Sequence, residues 1–153
     1  EPLATLVSST FARGDGGFGG PSTGAPEPHP IPERKPDGTF ETTIEADQAF
    51  IYALSGDRNP LHRDPKIAKM AGFQKPIIHG LCTYGTTCRA IITNVLDHRS
   101  ETIRGYDVRF SSPVYPGETI RTEMWIDGAD VSFRARVVER DIIVLNNGLA
   151  TVA

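Results

Sequence analysis

One long helical pattern, at residues 80–96, stands in a chain whose later part is patterned as strand. Leu81, Tyr84, Cys88, Ile91, Ile92 and Val95 follow steps of three and four, with small residues between them. That is the spacing of a helix packed on a sheet. Strand-like segments follow at 101–110, 118–127, 130–139 and 141–152. Pro113 to Gly117 marks one turn between them, and Asp127-Gly128-Ala129-Asp130 a hairpin. A few helices followed by an antiparallel meander predict an α+β fold: an antiparallel curled sheet wrapped around one long central helix.

The elements upstream are shorter. Glu41-Thr42-Thr43-Ile44 reads as a strand. Ala46, Phe50, Ile51 and Leu54 have helical spacing over 46–54, which Gly56 ends. Asp64-Pro65 sets a second helix over 66–71, with Asp64 as N-cap and Pro65 at the first helical position. Residues 13–39 are dense in Gly and Pro, with prolines at 26, 28, 30, 32 and 36, and read as an extended linker. Before them, residues 4–11 have the β-branched content of a strand. With no neighbour near in sequence, that strand is expected to pair with a sheet supplied by another domain or subunit. The compact domain is expected to span 40–153.

A chain of 153 residues has room for one hydrophobic core. Its net charge of −3 argues against a nucleic-acid partner, which selects a basic face. No apolar run reaches the length of about 18 residues that a membrane span requires. The N-terminal residues show no signal-peptide pattern. Cys82 and Cys88 lie six apart in one helix, pointing to different faces, and read as core-filling thiols.

The chemistry concentrates in Ser55-Gly56-Asp57-Arg58-Asn59-Pro60-Leu61-His62-Arg63-Asp64-Pro65. A carboxylate that binds a water and an imidazole that titrates near neutrality make an acid–base pair. The Asn59-Pro60 turn reverses the chain between Asp57 and His62, so both side chains can converge on one water, with Asn59 as a further amide donor. The plain alternative is that Asp and Asn beside Pro are turn residues and the His is surface. Arg63 and Asp64 read as solvent-facing or capping, His79 as a helix cap, His29 and His98 as loop surface. Gly80 adds a helix N-terminus, whose free N–H groups and partial positive charge suit an oxyanion. Lacking a side chain, it lets a carbonyl approach closely. Its plain alternative is a tightly packed helix start.

These residues resemble a known family. Tyr52-Ala53-Leu54-Ser55-Gly56-Asp57-Arg58-Asn59-Pro60-Leu61-His62, Ala71-Gly72-Phe73 and Pro76-Ile77-Ile78-His79-Gly80-Leu81-Cys82-Thr83 are similar to blocks of the MaoC-like, R-specific 2-enoyl-CoA hydratases (hydratase 2). The likeness continues through Val108-Arg109-Phe110, Pro113 to Thr119 and Thr122 to Trp125, covers nearly all of 40–153, and reaches back to Phe11–Gly20. It implies a hot dog fold with 80–96 as the central helix. It also implies hydration of a trans-2-enoyl-CoA to the (R)-3-hydroxyacyl-CoA in fatty acid metabolism, with no metal and no redox cofactor. By position it makes Asp57 and His62 the catalytic pair, with Asn59 in support and the Gly80 N–H as the oxyanion donor. Arg58, Pro60, Leu61 and Phe110 would line the acyl-CoA site.

One departure from the resemblance concerns organisation. In many members this motif-bearing hot dog is the second half of a double hot dog. Here the strand at 4–11 and the linker look like remnants of a missing first half. The expected partner is that motif-free N-terminal half, as a separate chain or a missing segment; a homodimer is the alternative. The competing functions are a 3-hydroxyacyl-ACP/CoA dehydratase running the reaction backwards, a hot dog thioesterase and a non-catalytic acyl-CoA-binding subunit. Thr151-Val152-Ala153 is no peroxisomal address. The expected location is cytoplasmic, or peroxisomal in a multifunctional parent.

Overall fold

The computed structural model describes residues 2–10, 12, 14–21, 23, 24 and 26–153. One antiparallel sheet holds β1 (Gly38–Thr43), β2 (Ile103–Phe110), β3 (Thr119–Asp127), β4 (Asp130–Val137) and β5 (Ile142–Val152). Helices α1 (Gln48–Tyr52), α2 (Pro65–Met70) and α3 (Gly80–Asn94) fall between β1 and β2. The α+β expectation holds, with element bounds displaced by a few residues.

The meander is interrupted. β3, β4 and β5 run as consecutive hairpins, but β2 pairs with β5 and β1 takes the other edge of β3, giving the order β1-β3-β4-β5-β2. The connection from β2 to β3 does not fold back on itself. It is tied instead to the chain entering α3, where Ile78 N–H donates to Val114 O at 2.7 Å. The β3–β4 hairpin closes as expected, with Asp127 opposite Asp130 across Gly128 (φ +65°) and Ala129.

Alternate residues of the central strands are buried: Ile120, Thr122 and Met124 on β3, and Val131, Phe133, Ala135 and Val137 on β4. This period of two is that of one sheet face turned to a core. α3 contributes Cys82, Thr83, Thr87, Ala90 and Ile91. That face is offset from the apolar spacing, and Leu81 is exposed. Small side chains let the helix axis come close to the curled sheet, whereas a larger residue would hold it off. The buried hydroxyl of Thr87 donates to Tyr84 O at 2.9 Å, so Tyr106 Oη, 2.7 Å away, donates to it. Tyr84 Oη in turn donates to Tyr106 O at 2.7 Å. These bonds latch α3 to β2, and burial pushes the Tyr106 hydroxyl far up from its ordinary pKa.

α1 also departs from its pattern. Ala49 and Ala53 are buried, while Phe50, Ile51 and Leu54 are exposed. The α-helical stretch ends at Tyr52 and continues as a 3-10 turn over Ala53–Ser55. The tighter winding breaks the 3.6-residue phase only from Ala53 on, so it displaces Leu54 and not Phe50 or Ile51.

Part of the expected linker is docked. His29, read as loop surface, is half-buried, and its Nε2 lies 2.8 Å from Ser132 Oγ. Its carbonyl accepts from Asn147 Nδ2 at 2.8 Å. Arg34 O accepts from the buried Trp125 indole at 2.7 Å, and Asp37 accepts from Ile126 N–H at 2.7 Å. Residues 29–37 therefore cover the face of β3 and β4 turned away from α3. Residues 4–10 form no strand within this chain, and Leu3, Leu6 and Val7 are exposed. Phe11 lies outside the described residues.

Thr87→Val keeps the shape of the side chain and strands the Tyr106 hydroxyl in the core. Urea unfolding should show a loss of about 1–3 kcal/mol; an unchanged midpoint would show that the latch contributes nothing.

Candidate active site

Local hydrogen bonds build the Asp57–His62 segment. Gly56 takes φ +115°, a left-handed conformation suited to glycine, and ends the 3-10 turn after α1. Asp57 Oδ1 then accepts from Asn59 N–H at 3.1 Å, and Asn59 Oδ1 accepts from Leu61 N–H at 3.0 Å. Pro60 fixes the first position of the 3-10 turn Pro60–His62. Asn59 thus serves Asp57 through its main-chain N–H, not its side-chain amide. Asp64 caps α2 as expected, accepting from Lys66 N–H at 2.8 Å.

His62 is buried, and its Nδ1 lies 2.8 Å from Ile77 O. A carbonyl only accepts, so Nδ1 carries the hydrogen and Nε2 of the neutral ring is left as the free base. One oxygen of Asp57 and one ring nitrogen each of His62 and His79 lie within 4.8 Å of one another. The expected pair does converge, and a third group joins it.

His79 was expected as a cap, but its side chain makes no cap hydrogen bond to α3. Its ring is 1% exposed and stacks on His62 with centroids 3.7 Å apart. Nε2 donates to the Asp57 main-chain carbonyl at 3.1 Å, and the Tyr52 ring flanks it at 4.6 Å. Nδ1 is buried without a partner among the described residues. Burial, and then the neighbouring His62, push the His79 pKa below its ordinary 6.5. The sequence signal for this role was thin: an imidazole placed directly before a glycine at a helix start.

The three donors are poorly arranged for a metal. His62 Nδ1 and His79 Nε2 are spent on main-chain carbonyls. Two rings sharing a metal would also aim nitrogens edge-on at one point, whereas these lie face to face, 28° from parallel.

A cavity of about 320 Å³ opens beside His62. Gly80, Thr83, Phe110, Pro113, Val144 and Leu145 are among the residues lining it. Gly80 is the first residue of α3, so its N–H has no carbonyl one turn back. A Cβ at Gly80 would come within 3.2 Å of the Phe110 ring, so glycine leaves the space between them clear. Gly80 and Phe110 thus line the same cavity as His62. Arg58 and Pro60 are exposed and Leu61 half-buried, and none of the three lines this cavity. Asp57, also exposed, reaches the site through its nearness to His62.

A family model described as "MaoC like domain" matches residues 28–147. The chain belongs to the MaoC-like domain family. The enoyl-CoA hydratase ChsH3 of Mycobacterium tuberculosis is 45% identical over 98% of this chain and 52% of its own length. The peroxisomal multifunctional enzyme type 2 of Drosophila melanogaster is 47% identical over 90% of this chain and 23% of its own. Among solved structures, a MaoC-like dehydratase from Phytophthora capsici superposes with a TM-score of 0.85 at 41% identity, over 92% of this chain and 48% of that one. This MaoC-like domain thus has the hot dog fold and spans about half, or less, of the length of these relatives.

The depressed His79 pKa has a signed consequence. The unfolded chain takes up this proton near 6.5 while the folded one resists it, so the stability His79 contributes is full above that pH. It is lost as pH falls toward the folded value. Urea unfolding at stepped pH should show a shallower acid loss in His79→Phe than in the parent; parallel curves would contradict the assignment.

Proposed function

We propose that this domain hydrates trans-2-enoyl-CoA thioesters to (R)-3-hydroxyacyl-CoA, with Asp57 and His62 as the catalytic pair. The observation that carries the reading is their convergence beside a cavity whose wall includes the start of α3 at Gly80. Relatives named enoyl-CoA hydratase, at 41–45% identity, support the same chemistry.

Asp57 and His62 hold one water over the cavity mouth. The water oxygen adds to Cβ of the enoyl thioester, and the pair between them takes one proton from it and returns one to Cα. Negative charge develops on the thioester oxygen. The Gly80 N–H, reinforced by the positive end of α3, offsets that charge. Phe110 and the apolar wall exclude water from the acyl chain. Dehydration of the 3-hydroxyacyl thioester is the same path in reverse.

The domain works beside a second, motif-free hot dog half, on another polypeptide or within a longer one. The greater length of the relatives supports this, as does the exposure of Phe50, Ile51, Leu54 and Leu81. Gel filtration with mass spectrometry of the native material should find that half; an active, lone single hot dog would refute it.

Asp57→Ala or His62→Ala should lower crotonyl-CoA hydration by about 10²–10⁴ with the fold retained, followed as loss of enoyl-thioester absorbance. Turnover within a few-fold of the parent in either variant ends the assignment.

A further inference from the structure

We infer that His79 is a positioning residue for this site: through its Nε2–H and its ring face it fixes the Asp57 main chain and the His62 ring relative to one another. The inference rests on the hydratase reading above and extends it to a residue that does not line the cavity.

Asp57 needs such a hold. It is exposed, and it follows a glycine in a left-handed conformation. Its carboxylate is oriented by the Asn59 N–H, but that bond lies within the same turn and ties the turn to nothing else. The bond from His79 Nε2 to Asp57 O spans 22 residues and joins the turn to the start of α3. The same ring stacks on His62 at 3.7 Å, and His62 is pinned from its other side by Ile77 O. One rigid imidazole thus sets both members of the pair against the helix whose first residue lines the cavity.

The unpartnered Nδ1 fits this role. With Nε2–H given to a carbonyl, the neutral ring leaves Nδ1 bare. Protonating it would bury a second positive charge beside His62 and Arg63, with only the Asp57 carboxylate nearby to offset it. His79 therefore stays in one tautomer while His62 cycles its proton.

Three measurements test this. In His79→Phe, which keeps a stacked ring and loses the donor, kcat for crotonyl-CoA should fall by about a hundredfold with KM little changed. His79→Gln, whose amide nitrogen reaches about as far as Nε2, should recover most of that loss. In the parent chain, ¹⁵N NMR should show His79 as the Nε2–H tautomer throughout the pH range in which the enzyme is active. A fully active Phe variant, equal losses in both variants, or an Nδ1–H tautomer would each overturn the inference. Should the Phe variant fail to fold, His79→Gln and the tautomer decide. If Asp57→Ala is inactive and His79→Phe is not, only this inference falls; if Asp57→Ala is fully active, the hydratase reading falls first.

Discussion

Enclosure of α3 by the sheet is the constraint from which the rest follows. A helix can lie close against a strongly curled sheet only if its inward residues are small, and Cys82, Thr83, Thr87 and Ala90 meet that condition. Side chains such as Met124, Phe133 and Ile91, fully buried together between sheet and helix, each contribute about 1.5–3 kcal/mol by leaving water. Single hydrogen bonds in the same core contribute about half as much. Burial therefore holds the helix in place and the hydroxyl latch sets its rotation. Rotation matters because it decides which way Gly80 and His79 face at the N-terminus.

The turn from Asp57 to His62 follows a different logic. Between Gly56 and His62 the Asp57 and Asn59 side chains each accept from the N–H two residues ahead. Such a turn keeps its shape without a core beneath it, which is why Asp57 can remain exposed. It nonetheless needs an anchor to the scaffold. That anchor comes from two carbonyl–imidazole bonds, Ile77 to His62 and Asp57 to His79. Positioning is thus concentrated in a pair of stacked rings.

Much of this was legible in the sequence because it depends on local rules. The Asp64 cap, the turn at Gly128 and the start of α3 at Gly80 each rest on backbone preferences of a few neighbouring residues. So does the approach of Asp57 to His62 around Asn59-Pro60. What the sequence concealed is tertiary. The buried faces of α1 and α3 depend on how closely each helix approaches the sheet, so Ala49 is buried where Phe50 was expected. The exchange of β2 to the far edge depends on where Val114 is tied. His79 looked like a cap because its neighbours in sequence are helix-start residues; its partners, Asp57 and His62, lie 22 and 17 positions away.

The distribution of uncovered apolar surface bears on how the domain is used. The sheet face turned away from α3 carries Trp125 and Ser132, yet both are buried beneath the strap at 29–37. Arg34 pairs with Asp37 within that strap and ties it to Asp127, and Glu123 pairs with Arg134. That face is finished. On the helical side Phe50, Ile51, Leu54 and Leu81 stay open to solvent, beside a hollow of about 430 Å³ lined in part by Tyr52, Leu81 and Gly85. Scattered apolar residues need no explanation, but the adjacent pair Phe50 and Ile51 on one short helix does. Tyr52 also flanks the His79 ring, so a body seated in that hollow would press on the group that aligns Asp57 with His62. Three stacked or flanking rings, Tyr52, His79 and His62, thus run from that hollow to the cavity beside His62.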